Sequence, residues 1–307
     1  MNHVIETQGL ARRFGNTDAV DRLTLAVPEG SIFAFLGPNG AGKTTTIKML
    51  LNIVEPTSGT ATVLGVDSRR IGPREFAKIG YVSENQKLPQ WMTVGALIDY
   101  CRPMYPHWDP MFCEKLRNQF ELPLDRKLKN LSRGMKVKAA LLVSLAYRPS
   151  LLILDEPFTG LDPLVRDEFI RGMLELSDEW NWTVFISSHD IDEVERLADW
   201  VGVINGGRLK LAEPAAALQG RFRRMDCVVA ETAGLPEALP ESWLVPEMAG
   251  HTVRYVESHY EAESSEALLR RILPRASDIS ANAMSLRDIF LALARTYRLG
   301  ETPEVKS

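Results

Sequence analysis

Eight residues, Gly37-Pro38-Asn39-Gly40-Ala41-Gly42-Lys43-Thr44, set glycines, a lysine and a hydroxyl at the spacing G-x-x-x-x-G-K-[ST]. Glycines at such positions let successive backbone N–H groups turn toward one point, where an anion also meets the positive end of a following helix. The apolar run Ser31-Ile32-Phe33-Ala34-Phe35-Leu36 ahead of the loop reads as a buried strand, and Thr45 to Leu51 behind it as a helix. That strand–loop–helix order is the context the motif requires. The chemistry implied is phosphate binding. Gly37 to Thr44 would cradle the phosphates of a nucleotide; Lys43 would reach the β- and γ-oxygens, and the Thr44 hydroxyl would hold Mg²⁺.

A second group of reactive side chains closes the apolar run Leu151-Leu152-Ile153-Leu154 with Asp155-Glu156-Pro157. A buried strand that ends in a carboxylate beside a phosphate loop can anchor Mg²⁺, here through Asp155. Glu156, next along, would face the γ-phosphate and polarise an attacking water as general base. The bland alternative is a strand that simply ends in charged residues, and the phosphate loop argues against it.

The elements that must position these groups follow from the patterning. Val4 to Thr7, Leu23 to Val27 and Thr60 to Leu64 read as strands, the last entered through a Pro56-Thr57-Ser58-Gly59 turn. From about 85 to 148 the pattern turns helical, interrupted by the turn-rich segment Arg102 to Pro110. Strand character returns at Leu151 to Asp155 and Thr183 to Ser187, with a helix near Pro163 to Leu176 between them. Short apolar strands alternating with helices imply an α/β fold whose parallel sheet is covered on both faces. After Gly206-Gly207 the character changes, and 216–307 reads as a small appended α+β domain that ends in the apolar helix Ile289 to Ala294.

Composition limits the function classes. In 307 residues, 45% are hydrophobic and 25% charged, which is globular and leaves room for a large core. A net charge of −4 argues against general nucleic-acid binding, and the basic run Arg221-Phe222-Arg223-Arg224 reads as solvated surface. The three cysteines, Cys101, Cys113 and Cys227, have no metal-ligand or C-x-x-C spacing and read as reduced thiols. The residues from Met1 lack signal-peptide shape, and no apolar stretch approaches the length of a membrane span.

Further motifs occur in an order that resembles the ATP-binding cassette (ABC) ATPases over residues 1 to about 215. Phe14, in Arg12-Arg13-Phe14-Gly15, matches the family's adenine-stacking aromatic. Leu131-Ser132-Arg133-Gly134-Met135 matches its signature motif, usually L-S-G-G-Q. Gly160-Leu161-Asp162-Pro163 matches the D-loop, and His189 in Ser187-Ser188-His189-Asp190 matches the switch histidine. Two departures stand out. Arg133 and Met135 replace a glycine and the glutamine of the signature, whereas Ser132 and Gly134, which would contact a partner's γ-phosphate, are kept. In Ile79-Gly80-Tyr81-Val82-Ser83-Glu84-Asn85-Gln86, alignment on Gly-Tyr-Val puts Glu84 where the family's Q-loop has its glutamine, with Gln86 the fallback. A carboxylate oxygen can serve Mg²⁺ or its water as an amide oxygen does, with added negative charge.

The resemblance implies a phosphate-loop NTPase core at 1–215, made of a parallel sheet, an antiparallel β subdomain and a helical subdomain at about 85–148, followed by the accessory domain at 216–307. It implies an ATP- and Mg²⁺-dependent ATPase with Glu156 and His189 as catalytic residues. Nucleotide contacts would come from Phe14, the loop 37–45, Ser132, Gly134 and Asp162; metal contacts would come from Thr44, Glu84 and Asp155. Two such chains, identical or related, would share each ATP. Both would sit at the inner face of the cell membrane on separate transmembrane permease subunits, with no nucleic acid involved. The C-terminal extension looks most like bacterial drug- or lipid-type exporter ATPases. The alternative is a soluble cassette ATPase acting on ribosomes or nucleic acid. Ribosome-acting members normally carry two cassettes, whereas one phosphate loop is present here. DNA-repair members insert a coiled coil between loop and signature, and the stretch from Thr44 to Leu131 has no heptads.

Overall fold

Apolar runs bounded by turn residues become strands. The computed structural model, which describes residues 2–84, 86–179, 182–230, 235–236 and 238–300, arranges them in three sheets. Met1, Asn85 and the stretch 301–307 lie outside the described residues. The chain divides into two compact units, Met1–Ala212 and Glu213–Ser307.

In the first unit, β1 (His3–Phe14) and β2 (Thr17–Pro28) form a long antiparallel hairpin. β3 (Ile32–Leu36) leads through the phosphate loop into α1 (Lys43–Leu50). β4 (Ser58–Val63) and β5 (Val66–Asp67) then extend the hairpin into a four-stranded antiparallel sheet ordered β2-β1-β4-β5. A single turn, α2 (Pro73–Phe76), precedes β6 (Ile79–Ser83). Three helices follow: α3 (Val94–Cys101), α4 (Pro110–Gln119) and α5 (Arg133–Leu145). Each starts on a side-chain cap, with Thr93, Asp109 and Ser132 accepting from the N–H of Ala96, Phe112 and Met135. β7 (Leu151–Asp155), α6 (Pro163–Glu179), β8 (Thr183–Ser188), β9 (Trp200–Asn205) and β10 (Arg208–Pro214) complete the unit.

The larger sheet is ordered β10-β9-β3-β8-β7-β6, and the five strands from β9 to β6 are mutually parallel. Every residue of β3, β7 and β8 is buried, as parallel strands covered on both faces require. Phe185 packs between Phe33 and Phe35, with ring centroids 5.7 and 5.3 Å away.

The second unit comprises α7 (Ala215–Arg221), β11 (Arg223–Val228), β12 (Trp243–Ala249), β13 (Thr252–Glu257), α8 (Ala262–Ile272), β14 (Ser277–Ala283) and α9 (Leu286–Gly300). Its strands pair antiparallel in the order β12-β13-β11-β14. Period-2 alternation sends Met225, Cys227, Val253 and Tyr255 into a core with Trp243 and Leu269. The basic run at 221–224 is only partly the solvated surface expected. Phe222 is buried and Arg221 pairs with Glu213 at 2.6 Å, which leaves Arg224 as the exposed member. Cys101, Cys113 and Cys227 are unpaired thiols. Among the described residues, no helix is long and apolar enough to cross a membrane.

Candidate nucleotide site

Strand register decides what meets at the carboxyl edge of the parallel sheet. Phe35, Ser187, Asp155 and Ser83 lie in one row across β3, β8, β7 and β6. One or two residues further on, the four strands deliver Gly37, His189, Glu156 and Glu84 to the edge where open α/β sheets bind ligands. Backbone bonds fasten that edge. The N–H of Glu84 donates to Asp155 O at 2.8 Å, that of Glu156 to Ser187 O at 3.2 Å, and that of Gly37 to Ser188 O at 3.3 Å.

A cavity of about 370 Å³ opens there, lined by Ala19, Asn39, Gly40, Gly42, Lys43, Thr44, Thr45, Glu84, Glu156, Thr159 and His189. The loop around it admits no side chain at two positions. A Cβ on Gly37 would lie 2.2 Å from Ile204 O, and one on Gly42, whose φ is +107°, would lie 2.4 Å from Ala19 O.

Lys43 is 5% exposed. Its ammonium donates to Gly37 O at 2.6 Å and Pro38 O at 3.1 Å, and pairs with Glu156 Oε1 at 3.0 Å. The second carboxylate oxygen of Glu156 lies 2.7 Å from His189 Nδ1 and 3.4 Å from the Thr159 hydroxyl. Burial pushes the Glu156 carboxyl up, but the His189 hydrogen bond and the Lys43 charge outweigh it and hold it below the usual glutamate value. The carboxylate is therefore ionised and can only accept, so Nδ1 carries the hydrogen. Glu156 also has φ +52°, the left-handed region, an outlier of the kind that surrounding contacts must hold in place.

Asp155 is buried beside the cavity, and its Oδ1 accepts from Thr44 Oγ1 at 3.0 Å and Ser187 Oγ at 2.8 Å. Burial raises its carboxyl pKa, and the two hydroxyls offset this only in part. Hydroxyl and carboxylate oxygens at this spacing, with Glu84 on the same cavity, form an all-oxygen donor set that fits a hard cation such as Mg²⁺.

The structure thus gathers Asn39, Gly40, Gly42, Lys43, Thr44, Thr45, Glu84, Glu156 and His189 on one cavity, with Gly37, Pro38, Ala41 and Asp155 immediately behind. Gln86 is not among the lining residues, and its Oε1 accepts from the Ser83 N–H at 3.4 Å. Four further expected residues neither line the cavity nor stand directly behind it. Phe14 ends β1, 46% exposed, with the Arg12 guanidinium 4.5 Å from its ring centroid. Ser132 is exposed and caps α5. Gly134 packs so closely on α6 that a Cβ would lie 2.8 Å from Val165 Cγ1. Asp162 accepts from the Val165 N–H at 3.0 Å.

Sequence reasoning missed Ala19, Thr159, Ser187 and Glu193. Buried Glu193 accepts from the Ser188 hydroxyl and pairs with Arg166 at 3.3 Å, which fixes the strand end just before His189. The signal available for Ser187 was the Ser-Ser pair ahead of His189, and only strand register gives it a role.

Known proteins resemble this chain in sequence and in fold. A family model described as ABC transporter matches residues 20–159. The chain is 36% identical over 211 residues to the uncharacterized ABC transporter ATP-binding protein YcbN of Bacillus subtilis (strain 168), covering 68% of this chain and 69% of that protein. It is 34% identical over 226 residues to the bacitracin transport ATP-binding protein BcrA of Enterococcus faecalis, covering 73% of each. A solved ATP-binding subunit of an ABC transporter matches with TM-score 0.64 and 26% identity, over 71% of this chain and 92% of that one. Fold and site together define a phosphate-loop ATPase of the cassette type. The chain belongs to the ABC transporter ATP-binding proteins. Membership implies nucleotide binding and ATPase activity, and it favours a transporter subunit over a soluble cassette acting on ribosomes or nucleic acid.

Proposed function

We propose that this chain hydrolyses ATP in a Mg²⁺-dependent reaction and so drives export through separate transmembrane permease subunits. It would work at the inner face of the membrane, paired with a second copy or a related ATPase. The observation that carries the reading is the meeting of Lys43, Thr44, Asp155, Glu156 and His189 around one cavity at the sheet's carboxyl edge. The kinship to a bacitracin transport ATP-binding protein supports the transport role. The net charge of −4 supports the exclusion of nucleic acid.

Each side chain then has a task. The loop N–H groups and Lys43 take the phosphates, Phe14 stacks on adenine, and Thr44, Asp155 and Glu84 hold Mg²⁺. The metal, when bound, neutralises charge on the phosphate oxygens. Glu156 accepts the proton of the attacking water, and His189 keeps that carboxylate aimed through Nδ1–H. The His189 hydrogen bond and, after it, the charge of the Lys43 ammonium depress the Glu156 pKa as the chain stands. Once phosphate oxygens occupy Lys43, the lysine's influence weakens and the carboxylate becomes a stronger base. Ser132, Gly134 and Asp162 act at the other chain's nucleotide.

Phosphate release by the purified chain tests this directly. Hydrolysis is expected with Mg²⁺, and loss of it on chelation with EDTA. Lys43→Ala should weaken nucleotide affinity as well as rate. Undiminished hydrolysis in EDTA would refute the metal assignment, and unchanged affinity in Lys43→Ala would refute that of Lys43.

A further inference from the structure

Two departures from the family pattern, Glu84 and Arg133, meet in space. Arg133 Nη2 donates to Glu84 Oε1 at 3.3 Å, across 49 residues of sequence. The same guanidinium lies against Gly160, where a Cβ would stand 2.6 Å from Nη1 and 2.8 Å from Cζ. One side chain therefore touches the end of β6 and the turn ahead of α6 while itself opening α5. It gains nothing from its own helix, because a cation at a helix N-terminus opposes the dipole.

Charge explains the pairing. Lys43 is the one permanent cation lining the cavity among the described residues, and Glu84 and Glu156 both line it with Asp155 behind. A glutamate in place of a neutral amide adds negative charge where a triphosphate must bind. We propose that Arg133 is a positioning residue that holds the Glu84 carboxylate at the cavity rim and cancels its charge, so that the two departures form one compensated pair. This rests on the reading of the cavity as an ATP site. The pair is part-exposed, Arg133 at 51% and Glu84 at 33%, so water and salt screen it. An effect of about two- to five-fold is the scale for such pairs.

The test is a four-protein cycle on the full chain: wild type, Arg133→Ala, Glu84→Gln and the double variant. KM and kcat for MgATP are measured at low and high salt, and Kd by titration with a fluorescent ATP analogue. Arg133→Ala is expected to raise KM and Kd about two- to five-fold at low salt, and less at high salt. Adding Glu84→Gln should remove most of that rise. Arg133→Gln, which keeps hydrogen-bonding reach without charge, should resemble Arg133→Ala and serves if the alanine variant folds poorly. An equal rise with and without Glu84→Gln overturns the pairing, as does an unchanged KM and Kd, or a salt-independent loss confined to kcat. If wild type binds nucleotide without hydrolysing it, the ATPase reading fails while the Kd cycle still decides the pair. If it binds none, the cavity reading falls and takes the pair's role with it.

Discussion

Glu156 is shared between Lys43 and His189, is buried, and holds a left-handed backbone angle, so changing its chemistry without its shape isolates the base. Glu156→Gln keeps the volume and can still accept from His189, but an amide cannot take up the water's proton. The turnover rate is expected to fall about 10²–10⁴-fold, with nucleotide affinity retained. Phosphate release and nucleotide titration on one preparation check this, and a rate within a few-fold of wild type would remove Glu156 from the role. Phe14 gives a second test at this scale, because its exposed ring already lies under the Arg12 guanidinium. A flat apolar face stacks on any purine, so Phe14→Ala should raise KM for ATP while Phe14→Trp should not, and ATP and GTP should differ modestly. Equal KM in all three proteins would leave Phe14 with the Arg12 contact alone.

Helix starts set the next scale, since α4 and α5 both begin on a side-chain cap. Asp109 Oδ1 accepts from the Phe112 N–H at 2.9 Å, and Oδ2 meets Arg148 Nε at 2.8 Å. Those two contacts, the backbone N–H first, hold the Asp109 carboxyl below its usual value. A depressed folded pKa contributes stability above the unfolded pKa and loses it as pH falls through the folded one. Asp109→Ala is therefore expected to cost about 1 kcal/mol at neutral pH. The gap to wild type should narrow below about pH 4. Thermal unfolding at both pH values measures it, and a pH-independent gap would mean that the charge plays no part. The elements differ in how readable they were. The unbroken apolar runs of β3, β7 and β8 announce themselves, as do the phosphate loop and its helix. β11 hides its alternation inside Arg223-Arg224-Met225-Asp226-Cys227-Val228, where three charged residues, of which only Arg224 is exposed, interrupt the two buried ones. The Ser187 hydroxyl and the Glu84–Arg133 contact were invisible for another reason. Strand register and the approach of α5 create them, and neither is written in local spacing.

For the whole molecule, the question is what completes the cavity. No residue from the signature segment 131–135 lines it among the described residues, although Glu84, Glu156 and His189 all do. Ser132 caps its own α5 yet stays exposed, so its hydroxyl is reachable from outside the chain. If a second chain's nucleotide is what it reaches, bound ATP contributes contacts to both chains and favours the dimer by mass action, and blocking hydrolysis should trap that dimer. Glu156→Gln protein with Mg²⁺ and ATP is expected to elute from size-exclusion with light scattering as a dimer, and without nucleotide as a monomer. Adding Ser132→Arg to Glu156→Gln should abolish the trap without changing each chain's own loop. In a mixture of Ser132→Arg with Lys43→Ala chains, each mixed dimer has one site with both lesions and one with neither, so residual ATPase should appear that neither parent shows. A monomer at micromolar protein and millimolar nucleotide in both conditions would sink site sharing by the isolated chain. Dimerisation would then have to come from the membrane subunits, and the same light-scattering comparison on the assembled complex would show it.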